Sequence, residues 1–262
     1  MTRTAATAHV LFVLLLALGA TPSRAAEIQL DALTWTEVRD ALRGGSTTIL
    51  VPIGGTEQNG PHMALGKHNV RVGRLAERIA TQLGHTLVAP VVAYVPESAG
   101  HMRFPGTISV SGEAFTGIVT GAARSLRRSG FRDIVLLGDS GDYQPLLRRV
   151  SERLNREWAG SGARVHYIAA YYDASTTGYD QLLGEAGFTP AQIGPHAGLA
   201  DTSLMLAVDA SLVHGDRVAE ASPQTGVTGD PTRASVALGQ KGVDLVVGKT
   251  VSAIRSALAR TH

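Results

Sequence analysis

The chain has 262 residues, of which 44% are hydrophobic, 5% aromatic and 18% charged. This length and composition suit one domain with its own core, and so few aromatics argue against a stacking platform for single-stranded nucleic acid. The absence of cysteine excludes disulfides, thiolate metal sites and a cysteine nucleophile.

The first predicted element is a leader. Arg3 gives a positive start, and Val10 to Leu18 (VLFVLLLAL) is an apolar run, shorter than the roughly 20 residues a bilayer span needs. Ser23 and Ala25 place small residues before a cut after Ala25. This three-part pattern is that of a secretory signal peptide; an uncleaved N-terminal anchor is the alternative. The expected organisation is a signal peptide over 1–25 and one domain over 26–262, periplasmic or secreted. Loss of the leader removes Arg3 and Arg24 and no acid, so 24 basic residues fall to 22 against 22 acidic ones. A balanced surface offers little long-range attraction to phosphate, so no nucleic-acid partner is expected. No second stretch reaches transmembrane length, so no membrane association is expected after cleavage.

Strands and helices then alternate. Thr36 to Leu42 reads as a short helix, and Thr47 to Ile53 (TTILVPI) as a buried strand running into Gly54-Gly55. Val70 to Leu83 has helical spacing, with Val72, Leu75, Ala76 and Ile79 on one face. Thr86 to Val95 reads as a strand, Gly112 to Gly130 as a helix and Asp133 to Leu137 (DIVLL) as a third strand. Tyr143 to Trp158 is helical, Arg164 to Ala170 a fourth strand, and Gly242 to Ala259 a long last helix. Such alternation implies a mostly parallel sheet covered on both faces. Ligands then bind at the carboxyl ends of the strands.

Five polar, glycine-containing loops are the candidates for chemistry: GGTEQNGPHMALGKHN, PESAGHMRFPGTIS, LGDSGD, GPHAGLADTS and TGVTGDPTRAS. In this order they resemble the motifs of the creatininase family of metal-dependent amidohydrolases. ILVPIGGTEQNGPHMALG is similar to the family's opening strand and its TEQHGPHLPLGTD motif. FPGTIS matches FPGT, and LGDSGD stands where the family has NGHGGN. HAGLADTS stands for HAGExETS, and GVTGDPTRAS for the late G-V-x-G-D-P-T-x-A motif. The resemblance covers nearly all of the mature chain. It implies a three-layer α/β/α sandwich with a mostly parallel central sheet, a small-molecule substrate and a homo-oligomer.

At the metal positions the chain departs from the family, whose members typically hold two divalent ions. The five family ligands correspond to Glu57, Asn59, His68, Asp139 and Leu199, and only Glu57 is unchanged. At His68 and Asp139 the family's Asp and His have exchanged places. Two carboxylates and one imidazole, Glu57, His68 and Asp139, suit one Zn²⁺ or Mn²⁺ with a position left for water. Asn59 is a weak neutral ligand and Leu199 none, so no dinuclear centre is expected. The alternative for the same three residues is an ion-paired polar cluster.

His196 matches a family His that transfers a proton or orients substrate, and Asp201 stands where the family has Glu; both are candidate catalytic residues. His62 matches a recurrent family His without an assigned role. His101, beside the FPGT loop, is placed to face substrate. Asp230-Pro231 reads as a structural turn. The expected function is an exported, metal-dependent hydrolase of a small amide or cyclic amide. The alternative is a catalytically inactive family member serving as a periplasmic ligand-binding or structural protein.

Overall fold

Each of four short strands is a run of residues that packs on both faces of one sheet. They are β1 (Thr48–Ile53), β2 (Thr86–Val88), β3 (Asp133–Gly138) and β4 (Arg164–Tyr167) in a computed structural model that describes residues 27–260. The expected leader lies outside the described residues. All neighbouring strands are parallel, in the order β2-β1-β3-β4. Side chains alternate between faces as the pleat requires. Ile49, Val51, Ile53, Ile134 and Leu136 enter one core, whereas Leu50, Val135 and Leu137 enter the other.

The helices in chain order are α1 (Trp35–Arg43), α2 (Lys67–Leu83), α3 (Ala99–Met102), α4 (Gly112–Ser129) and α5 (Gln144–Glu157). They continue with α6 (Ala169–Asp173), α7 (Tyr179–Glu185), α8 (Pro190–Ile193), α9 (Leu199–Asp209) and α10 (Val236–Ala259). A π-helical turn, Ala174–Gly178, joins α6 to α7. α1, α4 and α5 cover one face of the sheet; α2, α6, α7, α9 and α10 cover the other. This is the three-layer α/β/α sandwich that the resemblance implies, and it agrees with the alternation of strands and helices. No helix among the described residues is long and apolar enough to cross a membrane.

The strand read over Thr86 to Val95 is shorter than expected. Pro90 has no N–H for a ladder, and after Val88 only isolated bridges form, at Val92 and Val95. The fourth strand stops at Tyr167, and α6 begins at Ala169. α10 starts six residues before the expected Gly242, on a Ser235 side chain that accepts from Leu238 N. Its early glycines are packing residues. A Cβ on Gly239 would stand 1.8 Å from the Ser203 carbonyl oxygen of α9.

The strand order reverses between β1, which continues towards β2, and β3, which lies on its other side. In an open parallel sheet the crevice at such a point opens beyond the carboxyl ends of the strands. Asp139 N donates to Ile53 O there, at 3.0 Å. The buried Tyr143 hydroxyl accepts from Asp139 N and Ser140 N, and lies 2.6 Å from Gly54 O. One phenol thus ties the two strand ends together beneath the site.

Candidate active site

Four segments meet at this crevice. The loop after β1 brings Glu57, and the first turn of α2 brings Lys67, His68 and Arg71. Asp139 directly follows β3, and the loop before α9 brings His196, with Asp201 in that helix's first turn. Lys67 is 1% exposed, His68 5% and Arg71 3%, so this first turn is a buried cationic surface. The expected helix over Val70 to Leu83 begins three residues earlier than its apolar pattern, because its first turn faces polar groups rather than the core.

Glu57, His68 and Asp139 do come together, as a chain. His68 Nε2 lies 2.7 Å from Glu57 Oε1, and its Nδ1 2.5 Å from Asp139 Oδ1. The two ring nitrogens point in opposite directions, so the three residues do not surround one point. Burial and Lys67 oppose a charge on His68, but the flanking Glu57 and Asp139 carboxylates outweigh them and raise its pKa. An imidazolium with both N–H groups donated has no lone pair for an ion. This is the arrangement of the ion-paired cluster.

Asp139 is saturated. Besides His68 it accepts from Arg71 Nε at 2.9 Å, Arg71 Nη2 at 2.6 Å and the Tyr171 hydroxyl at 2.6 Å. Arg71 Nη1 reaches on to Asp201 Oδ1 at 2.7 Å. Asp201 Oδ2 accepts from Lys67 Nζ at 2.7 Å and from Ala197 N at 2.9 Å. Burial works against both charges, yet Arg71 and His68 hold Asp139 below its ordinary pKa. Lys67 and Arg71 hold Asp201 well below its own.

A second cluster lies on the other side of Glu57. Glu97 precedes α3 and His101 lies in it, four residues on. One ligand atom from each of Glu57, Glu97 and His101 lies within 4.8 Å of the others. His101 Nδ1 is 2.9 Å from Glu57 Oε2 and 3.7 Å from Glu97 Oε2. None of these contacts is aligned as a hydrogen bond. Glu57 Oε2, both Glu97 oxygens and His101 Nδ1 are buried without a hydrogen-bond partner. The Glu57 and Glu97 carboxylates push the His101 pKa up to about 10. Burial, with Glu57 facing it, pushes Glu97 up to about 7 against the pull of His101. Burial opposes the Glu57 charge, but His68, His101 and Lys67 keep its pKa lowered.

His196 closes the site. Its backbone pairs with Thr228 in an isolated bridge. Its Nε2 lies 3.0 Å from the Gln58 carbonyl oxygen, an acceptor that favours the proton on that nitrogen. The Gln58 side-chain nitrogen, also 3.0 Å away, has the Gly226 carbonyl as its acceptor. Nδ1 then carries the lone pair, 3.8 Å from Glu57 Oε1. Burial, then Lys67, lowers the His196 pKa to about 4, so the ring is neutral at pH 7. The ring packs on His101 with centroids 4.6 Å apart.

Glu57, Lys67, His68, Arg71, His101, Asp139, His196 and Asp201 line a cavity of about 250 Å³, with Ser98, Ser140, Tyr172, Ser175 and Thr176 beside them. The π-helical turn supplies Ser175 and Thr176; such turns are frequent at functional sites. His62 is outside the cavity, buried against Thr202 Oγ1 at 3.0 Å. Asn59 donates to the Glu57 carbonyl, and Leu199 is in the core. Asp230 caps a short turn through Thr232 N.

Sequence reasoning missed Glu97, Lys67 and Arg71. Glu97 and His101 had a signal, an acid and a histidine at helical i, i+4 spacing just past an apolar run. Lys67 and Arg71 flank His68 but are not ligand types, so nothing marked them.

The creatininase family profile, described as creatinine amidohydrolase, matches residues 31–254. Creatinine amidohydrolase from Pseudomonas putida is 32% identical over 200 residues, covering 74% of this chain and 76% of that protein. A manganese form of creatininase superposes with a TM-score of 0.74 at 27% identity, covering 88% of this chain and 99% of that one. A zinc–zinc form of a creatininase variant gives 0.73 at 27% identity, covering 89% and 99%. The motifs, the sandwich and these likenesses agree, and the chain belongs to the creatininase family.

Proposed function

We propose that this chain is an exported hydrolase of a small amide or cyclic amide, working with one divalent ion held by Glu57, Glu97 and His101. The observation that carries this reading is the set of unsatisfied ligand atoms. Three residues each bring one ligand atom within 4.8 Å of the others, and four of their buried oxygen and nitrogen atoms make no aligned hydrogen bond, whereas buried polar groups are otherwise almost always paired. Two carboxylates and an imidazole suit zinc or manganese, His101 giving up on metal binding the proton that its raised pKa holds in the ion-free protein. An ion there supplies Lewis-acid polarisation of a carbonyl and makes water acidic. The residues first expected to hold it, Glu57, His68 and Asp139, share only Glu57 with this set.

His196 is neutral, and its Nδ1 lies beside Glu57, within reach of a ligand in the cavity. It takes a proton from water and passes it to the leaving nitrogen. Asp201 acts as a positioning residue, fixing the backbone beside His196. The cavity of about 250 Å³ is smaller than the roughly 300–1,000 Å³ of drug-sized sites, which favours a small polar substrate. A homo-oligomer remains part of the same reading.

The test uses protein expressed with its own leader and purified without chelator. One equivalent of zinc or manganese per chain is expected, with hydrolysis of creatinine or another small cyclic amide that is lost in His196→Ala. N-terminal sequencing of the exported fraction is expected to begin at Ala26. Absence of both bound ion and turnover would overturn the reading. It would favour the inactive, ligand-binding alternative, which the saturated Asp139–Arg71–Asp201 network supports.

A further inference from the structure

Two kinds of carboxylate lie in and beside the cavity. Glu57 and Glu97 keep buried oxygens without a hydrogen-bond partner. Asp139 and Asp201 have donors on all four of their oxygens: Arg71 and His68 on Asp139 Oδ1, and Tyr171 and Arg71 on Asp139 Oδ2. Arg71 also serves Asp201 Oδ1, while Lys67 and Ala197 serve Asp201 Oδ2. Three of these donors are cationic side chains, each no more than 5% exposed.

A solved relative holds two zinc ions. We infer that in this chain the Lys67 ammonium and the Arg71 guanidinium stand in for a second metal ion, neutralising Asp139 and Asp201 permanently and limiting the cavity to one divalent cation. Two observations carry this. The first is geometric: an ion on Asp139 or on Asp201 Oδ2 must displace a donor at 2.6–2.9 Å, and one on Asp201 Oδ1 would lie against the Arg71 guanidinium 2.7 Å away. The second is electrostatic. Lys67 lines the same cavity, and its charge already acts on Glu57, His68, His196 and Asp201. A second divalent ion would lie against that fixed positive charge in a buried, poorly screened place. The inference rests on the proposed function only for the first ion.

The experiment counts Mn²⁺ bound per chain by equilibrium dialysis, with thermal melting in the same buffers. The proteins are the full chain, Lys67→Met and Lys67→Arg. The expected result is one Mn²⁺ for the unmodified chain and for Lys67→Arg, which keeps the charge. Lys67→Met is expected to bind one more, and its melting temperature to rise further with Mn²⁺ than that of the unmodified chain. If Lys67→Met does not melt cooperatively, Lys67→Gln, which keeps a donor to Asp201, takes its place. Two ions in the unmodified chain would overturn the inference. So would a cooperatively folded Lys67→Met or Lys67→Gln that binds no more than the unmodified chain. No ion in the unmodified chain but one in Lys67→Met would uphold it, while sinking the Glu57–Glu97–His101 ion.

Discussion

The backbone N–H of Ala197 donates to Asp201 Oδ2 at 2.9 Å, and this bond holds a non-glycine residue at φ 55° directly beside His196. The left-handed conformation costs an L-residue roughly 1–2 kcal/mol, so the aspartate acts on the histidine's loop as well as on Lys67 and Arg71. Asp201→Asn keeps the size of the side chain and removes its charge. Loss of one partner from a buried ion pair typically costs about 3–5 kcal/mol. Urea unfolding is expected to show a destabilisation near the lower end, because Arg71 retains Asp139. Ala197→Gly is expected to be nearly neutral, since relief of the backbone cost offsets a buried methyl worth roughly 0.8 kcal/mol.

Stability is expected to fall on acidification in two stages. The folded pKa of His62 is lowered, first by burial and then by Lys67, and that of His196 is lowered to about 4. A lowered folded pKa means that the unfolded chain takes up the proton first, at its ordinary value of about 6.5. Stability from these two groups is therefore lost as pH falls below that value. Asp139 and Asp201 are also lowered in the fold. Their contribution is complete above the ordinary Asp value of about 3.9 and is lost as pH falls through their folded values. Glu97, pushed up to about 7, takes its proton first in the fold and offsets part of the histidine loss between about pH 7 and 4.5, so melting temperatures are expected to decline only gently from pH 6.5 to 4 and steeply below. His62→Gln should shrink the gentle stage and leave the steep one. A curve of unchanged shape in that variant would remove His62 from the account.

The strands and the sandwich were legible because β1 and β3 are buried on both faces, so unbroken apolar runs mark them. α9 was hidden. It is packed on several sides by Leu199, Ala200, Leu204 and Met205, and so lacks the polar face that makes a helix visible in sequence. At the site, Glu57, His68, Asp139, His196 and Asp201 were legible as neighbours, because their loops follow the strands or sit in motifs. Their roles towards one another were not. Both nitrogens of an imidazole are the same letter in a sequence, and whether His68 offers a lone pair depends on Asp139 and Arg71, 71 and 3 residues away. Glu97 and His101 stand four residues apart in one loop, but nothing in the sequence shows that Glu57, forty residues earlier, completes their cluster.

Gly239 and Gly248 lie in the same helix and should respond oppositely to alanine. A Cβ at Gly239 would meet the Ser203 carbonyl oxygen at 1.8 Å and the Ala207 Cβ at 2.8 Å, whereas at Gly248 nothing lies within 4 Å. Gly248→Ala should stabilise by about 0.5–1 kcal/mol, the ordinary helix-interior gain. Gly239→Ala should destabilise by about 1–3 kcal/mol or more, because backbone of α9 must move. Urea midpoints shifting the same way in both variants would mean that α9 and α10 are not in this close contact.

Glu97 and His68 separate the two ways of seating an ion. If the ion lies among Glu57, Glu97 and His101, Glu97→Gln removes a charged ligand, and His68→Gln touches only the orientation of Glu57. Calorimetric titration with Zn²⁺ should then show Glu97→Gln weakening binding by well over 100-fold. The His68 variant should stay within the roughly 10–100-fold loss seen when a group supporting a ligand is removed. Stability should order the variants the other way. His68→Gln deprives Glu57 and Asp139 of an imidazolium that donates to both. It is expected to cost about 3 kcal/mol, as for one partner of a buried pair. Glu97→Gln removes a buried carboxylate that makes no side-chain hydrogen bond and crowds Glu57. In the ion-free protein it should be neutral or stabilising, because the burial penalty and the facing Glu57 charge that lift the Glu97 pKa to about 7 no longer act on a carboxylate. Zinc affinity lost in His68→Gln and kept in Glu97→Gln would return the ion to Glu57, His68 and Asp139. That outcome would require His68, rather than His101, to give up its proton and one of its carboxylates when metal binds, and proton release that persists in His101→Gln, measured by titrating in buffers of different ionisation enthalpy, would reveal it.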